Sequence, residues 1–570
     1  MFDLVVRGGS VIDGTGVDAV TADVAISDGR IVEVGRIDAA RGRQVIDADG
    51  LLVTPGFVDI HTHYDGQATW DPYLTPSSWH GVTTVMMGNC GVGFAPAAPD
   101  RHEWLIGLME GVEDIPGAAL SEGIEWGWES FPEYLDVLAS KSLAIDVATQ
   151  VPHGPIRAYV MGERGASNEP ATTDDIAAMS ALVEEGLRAG AFGFSTSRTI
   201  MHTAINGEPV PGTFAAEDEL FGLGEALRRV GHGVFELAPA GALGEDLLAA
   251  DREMNWMRRL AKHNARPVSF ALNQNSADRD EWRRLLDASA AAVADGAAVY
   301  PQVHAHAVTL LTGLGTFHPF EYCPSWSTLV PAGPANARAA TMRTTEVREQ
   351  LLREIAALDS AFVAFMSPRR LYSVDDPPEY EPDPSTTLGK VAAAAGAEPW
   401  AFLYDLLSSG EGDQLVMAPI LNYADGDLSP SFEMLSAPHT VFGLGDGGSH
   451  CGQTCDASST TFLLTHWARD RSRGPRLRLE DAVAKMTSKT AAVYGLVDRG
   501  VLAPGRVADL NLIDLARLEL RRPEVVHDLP ARGRRLIQRA DGYVATVKTG
   551  EVIYAEGKAT GALPGSLLRS

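Results

Sequence analysis

Cysteine is scarce in this chain, and so few thiols exclude a disulfide framework of the kind that stabilises small secreted domains. The first residues, MFDLVVRGGSVIDG, lack a basic segment followed by an apolar one, which indicates that they are not a secretory signal peptide. Uninterrupted apolar stretches of ~18 residues or more are also missing, which argues against a transmembrane helix. We therefore expect a cytoplasmic protein. The 570 residues include four cysteines, Cys90, Cys323, Cys451 and Cys455.

Positive charge is also under-represented. The chain has 47 Lys and Arg residues against 75 Asp and Glu residues, which gives a formal net charge of −28. Such a surface repels nucleic acid and anionic membranes, so we expect neither as a partner. A small-molecule substrate is the expected partner, and a homo-oligomer stays open. With 45% hydrophobic residues, the chain is long enough for one large domain and a smaller one.

Both ends of the chain show strand patterns interrupted by glycine-containing turns. Residues 1–50 alternate apolar and polar side chains between Gly and Asp-Gly turns, which is typical of antiparallel hairpins. Residues 500–513 and 542–554 show the same pattern. Because a few strands cannot form a stable sheet alone, we predict that residues 1–54 and 499–570 together form a small β-sandwich domain.

Between residues 55 and 498, strand-like apolar runs alternate with helical periodicity, which is typical of a parallel sheet with crossover helices. We predict a (β/α)₈ TIM-like barrel with insertions, because no glycine-rich dinucleotide turn follows the first strand. Residues 367–386, rich in Pro and Asp, are expected to form a surface excursion. The predicted strands cover residues 52–60, 82–87, 144–151, 192–195, 233–237, 267–272, 297–303 and 440–444. The predicted helices include residues 173–188 after the cap Thr172, 217–230, and a segment around 252–263.

Metal-ligand residue types follow two successive predicted strands. The apolar run 51–60 ends in His61-Thr62-His63, and side chains two positions apart on a strand point the same way. The next run, 82–87, ends in Gly-Asn-Cys90-Gly, which places a thiol at the same edge. Two imidazoles and a thiol predict a divalent-metal site there. The alternative is a pair of structural histidines beside a buried cysteine.

Several longer motifs carry a resemblance to a known family. GFVDIHTH, SSWHGVTTVMMGNCGVGFAP, VPHGPIRAYVMG, GAFGFSTSR and GLGDGGSHCG together resemble the metal-dependent amidohydrolases, and within them the N-acyl-D-amino-acid deacylase (D-aminoacylase) branch. The resemblance covers nearly the whole chain. It implies a barrel enzyme that hydrolyses a linear amide C–N bond with a divalent metal, of which Zn²⁺ is the most expected.

The resemblance also implies a ligand set. By position, His61, His63, Cys90 and Asp446 match the family's metal ligands. Asp446 would in addition act as general base, although an aspartate in a Gly-Asp-Gly-Gly turn is also common as a loop residue. We expect one metal ion, with two as the alternative.

Two further family histidines are missing from the matching stretches, GVFELAP around Leu237 and VSFALNQ around Phe270. Replacing imidazole with an apolar group removes a ligand outright. The residues that could replace the missing histidines as metal ligands are Glu236, Asn273, His304 and His306. For His304 and His306 we favour instead a place in the wall of the substrate pocket or in the core, with their hydrogen bonds satisfied. Cys451 and Cys455 are a further pair with ligand-like spacing, which by itself is weak evidence for zinc.

The remaining predicted site residues serve catalysis and substrate binding. His153 is predicted either to donate a hydrogen bond to the developing oxyanion or to orient a residue that contacts the metal or substrate, and Tyr64 is predicted to donate to the same oxyanion. Arg198 is predicted to bind a substrate carboxylate, for which an arginine is suited. Two alternatives stay open: an amidohydrolase acting on a cyclic or non-peptide amide, and a catalytically inactive protein with this fold that binds a partner.

Overall fold

A series of parallel strands forms the centre of the protein. The computed structural model describes residues 1–570, apart from the side chain of Ala39. The strands of the series are β1 (Phe57–Asp59), β2 (Val82–Met87), β3 (Asp146–Thr149, continued by Val151–Pro152), β4 (Gly193–Ser197), β5 (Val234–Ala238), β6 (Val268–Ala271), β7 (Val299–Val303) and β8 (Val441–Phe442).

The strands of this series pair in chain order. One sheet contains β1, β2 and β3, and another runs from Val151–Pro152 through β4, β5, β6 and β7 to β8, with every neighbouring pair parallel. A parallel bridge between Thr62 and Gly447 joins the segment after β1 to the segment after β8. Because the strands are parallel, all their carboxyl ends lie at one edge, where the predicted metal ligands follow β1, β2 and β8.

The predicted first strand, residues 52–60, is interrupted at Gly56. Leu52–Pro55 pairs with Leu510–Ile513, whereas Phe57–Asp59 pairs with β2. A Cβ atom on Gly56 would lie 2.2 Å from Thr83 Oγ1, so only glycine fits where the chain passes from one sheet to the other. The other predicted strands are found with small shifts of their ends.

Helices connect the parallel strands. The predicted helix 217–230 has those bounds, and helix Thr173–Ala189 begins with Thr172 and Asp175 in a capping box. The helices up to β7 are His102–Glu113, Gly117–Gly123, Phe131–Ser140, His153–Met161, Glu163–Ala166, Thr173–Ala189, Glu217–Val230, Ala249–Asn264 and Glu281–Ala294. After β8 follow Ser459–Phe462, the π-helix Leu463–Asp470, Leu479–Ala484, the π-helix Lys485–Lys489 and Thr490–Val493.

A large insertion separates β7 from β8 and has its own apolar core, which includes Phe320, Leu351 and Leu403. Its strands Val308–Gly313, Tyr372–Ser373 and Leu415–Leu421 form an antiparallel sheet. The expectation that residues 367–386 form a surface excursion is wrong in part, because Tyr380 and Glu381 are buried. The helices of this region are Trp326–Leu329, Ala335–Met342, Thr345–Ala357, Ala361–Phe365, Leu388–Ala394, Pro399–Leu407 and Ser429–Ser436.

Strands from both ends of the chain share one sheet, in the order Lys558–Ala559, Glu551–Ala555, Tyr543–Lys548, Leu510–Ile513, Leu52–Pro55, Phe2–Val11, Val20–Ser27 and Arg30–Gly35, with Gly42–Asp47 beside Phe2–Val11. Two strand pairs stand apart from it, Glu519–Leu520 with Ala540–Asp541, and Glu524–Val526 with Arg535–Ile537. No helix among the described residues is long and apolar enough to cross a membrane.

Buried charges attach this terminal sheet to β3. Lys548 Nζ lies 2.7 Å from Asp146 Oδ2 and 3.0 Å from Asp509 Oδ1, and Arg499 also donates to Asp146. Burial opposes ionisation of Asp146, but Lys548 and Arg499 outweigh it and lower the pKa of its carboxyl. Removing one partner of such a network would leave a buried charge uncompensated, so the network fixes the terminal sheet against the parallel strands.

Candidate metal centre

His61 presents an unshared lone pair to the interior. Its Nδ1 lies 2.8 Å from Gln302 Oε1 on β7, and Gln302 Nε2 donates to the Tyr494 hydroxyl at 3.1 Å. This second bond orients the amide, so its oxygen faces His61 and the imidazole donates from Nδ1. Donation from Nδ1 leaves Nε2 as the ring nitrogen that can offer a lone pair.

Other electron-rich atoms face the same nitrogen. Asp446 Oδ1 lies 3.3 Å and Cys90 Sγ 3.4 Å from His61 Nε2, and His63 Nε2 lies 3.7 Å from the same Asp446 oxygen. All four side chains come from the carboxyl ends of β1, β2 and β8. Electron-rich atoms that converge in a buried space repel each other unless a proton or a metal cation lies between them, and nitrogen, sulfur and carboxylate oxygen together are the ligand types of a metal site.

Cys90 occupies a strained turn directly after β2. Its φ angle is +54°, a conformation that non-glycine residues adopt rarely, and its sulfur is nearly buried. Burial raises the pKa of the thiol well above its usual range, and the carboxylates of Glu236, Glu113 and Asp446 raise it further. A coordinating metal ion deprotonates a thiol, so this position is suited to a ligand that ionises only on binding.

Glu236 on β5 is the residue of this strand that faces the site. Its Oε2 accepts a hydrogen bond from the Cys90 N–H at 3.1 Å, and its Oε1 lies 3.7 Å from His61 Nδ1 without a hydrogen-bond partner in the described part of the chain. Burial raises the pKa of this carboxyl to about 7. Because side chains alternate along a strand, Leu237 points to the opposite face.

Of the residues predicted to substitute for the two missing family histidines, Glu236 faces the site, whereas its neighbour Leu237 does not. Leu237 and Phe270 are register partners on β5 and β6, so they share a face. Phe270 is buried and lines a cavity together with Ala250, Met257 and Leu285, which belong to helices outside the sheet. Phe270 therefore packs between β6 and the helices. On β5, the carboxylate of Glu236 occupies the position that faces Cys90.

Backbone hydrogen bonds fix Asp446. Its N–H donates to His61 O at 2.9 Å, and the His63 N–H donates to Gly447 O at 2.8 Å, so the loops after β1 and β8 are joined. Burial acts against ionisation of Asp446, but the imidazoles of His63, His61 and His450 outweigh it and hold the pKa of the carboxyl well below its usual range. Asp446 is therefore an ionised acceptor.

Sequence reasoning missed Glu113, which ends the helix His102–Glu113. Its Oε1 lies 3.3 Å from His63 Nδ1 and its Oε2 lies 3.8 Å from His450 Nε2. Burial raises the pKa of Glu113, and it lowers to about 3 the pKa of His202, on which His450 and His63 also act. Neither Glu113 nor His202 stands in one of the motifs above, so only the packing of the helix and loops over the strand ends brings them to the site.

His153 and Arg198 have other partners. His153 Nε2 lies 2.9 Å from Glu219 Oε1, and its Nδ1 lies 2.9 Å from Thr196 Oγ1, so both ring nitrogens are engaged. Arg198 Nε donates to the buried Glu253 at 2.8 Å. The structure does not place either residue among the converging ligands, and their predicted roles toward substrate stay predictions.

Tyr64 and the pair His304 and His306 lie around the centre without joining the ligand group. The Tyr64 hydroxyl donates to Ser77 Oγ at 2.8 Å and accepts from the Ser77 N–H at 3.0 Å. His304 and His306 form a separate buried group with Asp456. A small cavity of about 20 Å³ is lined by both Asp446 and Asp456, so the two groups border the same space.

Comparison with known proteins assigns the family. The profile of the amidohydrolase family matches residues 44–554. The chain belongs to this family. Among individual amidohydrolases, the D-aminoacylase of Alcaligenes xylosoxydans xylosoxydans is 28% identical over 574 residues, which cover 100% of this chain and 97% of that protein. The N-acyl-D-aspartate deacylase of the same organism is 27% identical over 536 residues, which cover 90% and 86%.

A solved structure is similar over its full length. It is a D-aminoacylase whose structure addresses the functional role of its binuclear metal center. It superposes on this chain with a TM-score of 0.66 and 25% identity, and the match covers 100% of both chains. The prediction of an amidohydrolase that resembles the D-aminoacylases and acts on C–N bonds other than peptide bonds is confirmed. The predicted dependence on a divalent metal is also supported by two groups of buried metal-ligand residues in this chain.

Proposed function

We propose that this amidohydrolase is a metal-dependent deacylase of N-acyl-D-amino acids. The convergence of His61 Nε2, Cys90 Sγ and Asp446 Oδ1 in a buried space carries the proposal, because it supplies the ligand set that such hydrolysis requires. The similarity to D-aminoacylase and N-acyl-D-aspartate deacylase along nearly the whole chain supports the substrate class. Cytoplasmic residence stays a prediction.

We also infer how the architecture supports the site. The parallel strands β1 to β8 would close into the predicted (β/α)₈ barrel of residues 55–498, with the bridge between Thr62 and Gly447 at the closure. Residues 1–54 and 499–570 would form the small β-sandwich domain beside it. In this arrangement the ligands stand at the carboxyl-terminal face of the barrel, where the chemistry of this fold is placed.

The donor set fits a zinc ion. Imidazole nitrogen, thiolate sulfur and carboxylate oxygen are all zinc ligands, whereas magnesium and calcium prefer oxygen alone. His61, His63, Cys90 and Asp446 would hold the ion, with the unpaired Glu236 Oε1 beside them. The similar D-aminoacylase is described with one-metal activation and second-metal attenuation, so we assign one ion to this centre.

The chain's own groups would then move the proton. The chemistry that the ion supplies is Lewis acidity, which lowers the pKa of water from about 15.7 to about 7 and polarises the amide carbonyl. Asp446 would take the proton of the attacking water and pass it to the leaving nitrogen. The backbone bonds from Asp446 to His61 and from His63 to Gly447 hold this carboxylate in place. His61 is oriented in turn by Gln302.

One observation favours a second substrate class. Arg198, the predicted partner of a substrate carboxylate, is occupied by Glu253 and by Ala215 O. Without that cation, an amide that carries no carboxylate, cyclic or linear, would bind as well as an N-acyl amino acid. A catalytically inactive binding protein is the third alternative, and it would show no turnover of any amide.

A substrate comparison distinguishes these functions. The zinc-loaded protein is assayed with an N-acetyl-D-amino acid, its L enantiomer, its C-terminal amide and a hydantoin. We expect kcat/KM for the D-amino acid to exceed each of the others by at least about tenfold, which corresponds to about 1.4 kcal/mol of transition-state binding. A preference for the amide or the hydantoin would contradict deacylation of amino acids. Absence of all turnover with a full metal complement would contradict an enzymatic function.

A further inference from the structure

A second group of metal-ligand residues lies outside the centre described above. His304 and His306 follow β7, and Asp456 begins a turn in the loop after β8. All three side chains are buried, and the two imidazole centroids lie 4.3 Å apart. One ligand atom of each residue lies within 4.8 Å of the others. We refer to these three residues as the His304 cluster.

Hydrogen bonds to backbone carbonyls fix the tautomers of both histidines. His304 Nδ1 lies 2.8 Å from His306 O, and His306 Nδ1 lies 2.7 Å from Ala307 O. A carbonyl oxygen can only accept, so each Nδ1 carries the hydrogen and each Nε2 carries a lone pair. The His306 N–H also lies 3.1 Å from His304 Nδ1. The closer contact of His304 Nδ1 with the His306 carbonyl is favourable only if this Nδ1 carries a hydrogen.

The two lone pairs face a carboxylate. Asp456 Oδ1 lies 3.9 Å from His304 Nε2 and 3.7 Å from His306 Nε2, which is too long for a hydrogen bond. Among the described residues, His306 Nε2 and Asp456 Oδ2 make no hydrogen bond at all. His306 Nε2 and Asp456 Oδ2 are costly to leave unpaired in this buried place, and a cation between the three residues would satisfy them together with His304 Nε2, which also has the Ser459 hydroxyl nearby.

The distances fit a metal ion better than a proton. Zinc–nitrogen and zinc–oxygen bonds of about 2.0–2.2 Å in a tetrahedron separate two ligand atoms by roughly 3.4 Å. The Asp456 oxygen, 3.7 Å and 3.9 Å from the two imidazole nitrogens, therefore needs to approach each of them by only about half an ångström or less. Metal-binding histidines characteristically donate their other N–H to a backbone carbonyl or a carboxylate, as both histidines do here.

A fourth position and an approach for the ion are also present. Ser459 Oγ lies 3.3 Å from His304 Nε2, and the cavity that Asp456 lines extends to Asp446. Tyr380 stacks on His306 with 4.8 Å between ring centroids and an interplanar angle of 17°, which restrains the imidazole. The cluster thus has two nitrogen ligands, one carboxylate and a neighbouring hydroxyl on a supported frame.

We propose that His304, His306 and Asp456 form a second metal site, which binds one divalent transition-metal ion of the zinc class. The bound ion would connect the end of β7 to the loop after β8, which carries Asp446 at its beginning. This site is separate from the His61 group and does not depend on the hydrolytic function.

Cobalt binding tests this site independently of catalysis. The full chain carrying His61→Ala and His63→Ala, which removes the first centre, is stripped with chelator and titrated with Co²⁺. We expect close to one equivalent bound, with visible d–d absorption bands of a tetrahedral site. Adding His306→Asn should lower the affinity at least about tenfold and abolish the bands. His318→Asn, which removes a buried histidine outside both groups, is the matched control and should leave binding unchanged.

The opposite results would overturn the proposal. If the folded His61→Ala/His63→Ala chain binds no cobalt, or if its bands persist in His306→Asn, the cluster does not hold a metal. Should circular dichroism show that these variants do not fold, the same titration is run on the native chain and on Asp456→Asn, a substitution of nearly equal volume. The native stoichiometry must then exceed that of Asp456→Asn by about one ion, and equal stoichiometries would reject the site.

Discussion

The substitution Asp446→Asn should lower kcat by about 10³-fold or more, because it removes the carboxylate that accepts the proton of the attacking water and also a metal ligand. His61→Ala should lower kcat by a similar factor, because it removes a ligand nitrogen. Asparagine keeps the volume of Asp446, and the backbone N–H bond to His61 O does not involve the side chain. The fold should therefore persist, as measured by circular dichroism and thermal unfolding beside steady-state rates.

Asp251→Asn is the matched control, since Asp251 lies exposed on the helix Ala249–Asn264. It makes the same chemical change away from the site and should leave both kcat and the metal content unaltered. Rates within about twofold of the native protein in both Asp446→Asn and His61→Ala would refute the assignment of this site.

The substitution Glu236→Gln should lower activity and metal affinity by about 10–100-fold. The carboxylate accepts the Cys90 N–H and lies next to His61, so its charge holds the turn of Cys90 and faces the metal position. Glutamine has the same shape but no charge. The affinity is measured by competition with a chromophoric chelator, and the rate is measured at saturating zinc.

Leu237→Met is the control for this residue, because it alters the neighbouring position on the opposite face of β5 at similar volume. It should change neither zinc affinity nor kcat. If Glu236→Gln keeps the native zinc affinity while Leu237→Met loses it, strand β5 would face the site with the other set of side chains, and our assignment of Glu236 would fail.

The motifs of the sequence located the parts of the centre that are local in the chain. HTH follows β1 and GNCG follows β2. Each motif places ligand-type side chains directly after the carboxyl end of a buried apolar strand, so both could be recognised from a short segment. Strand alternation then places His61 and His63 on one side. Asp446 was less evident, since a Gly-Asp-Gly-Gly turn has many uses, and only the family resemblance singled it out.

The same reasoning left the position on β5 open, because one residue of register decides the result. A shift of one position moves a side chain to the other face of a strand, and the sequence pattern of VFELA does not show which face is inward. Parallel strands that are buried on both sides contain apolar residues at successive positions, so periodicity gives no phase. The contacts of Glu236 with Cys90 and His61 decide it, so Glu236, and not Leu237, is the residue of this strand at the site.

The sequence by itself determined the family, the alternation of strands and helices, and the identity of His61, His63 and Cys90 as neighbours, because these depend on short segments. Only the tertiary structure decided that Glu113 lies beside His63, that Arg198 is held by Glu253, and that Asp456 approaches His304 and His306. Each of these contacts joins residues far apart in the chain. Their distances depend on how helices and loops pack over the strand ends, which no local pattern specifies.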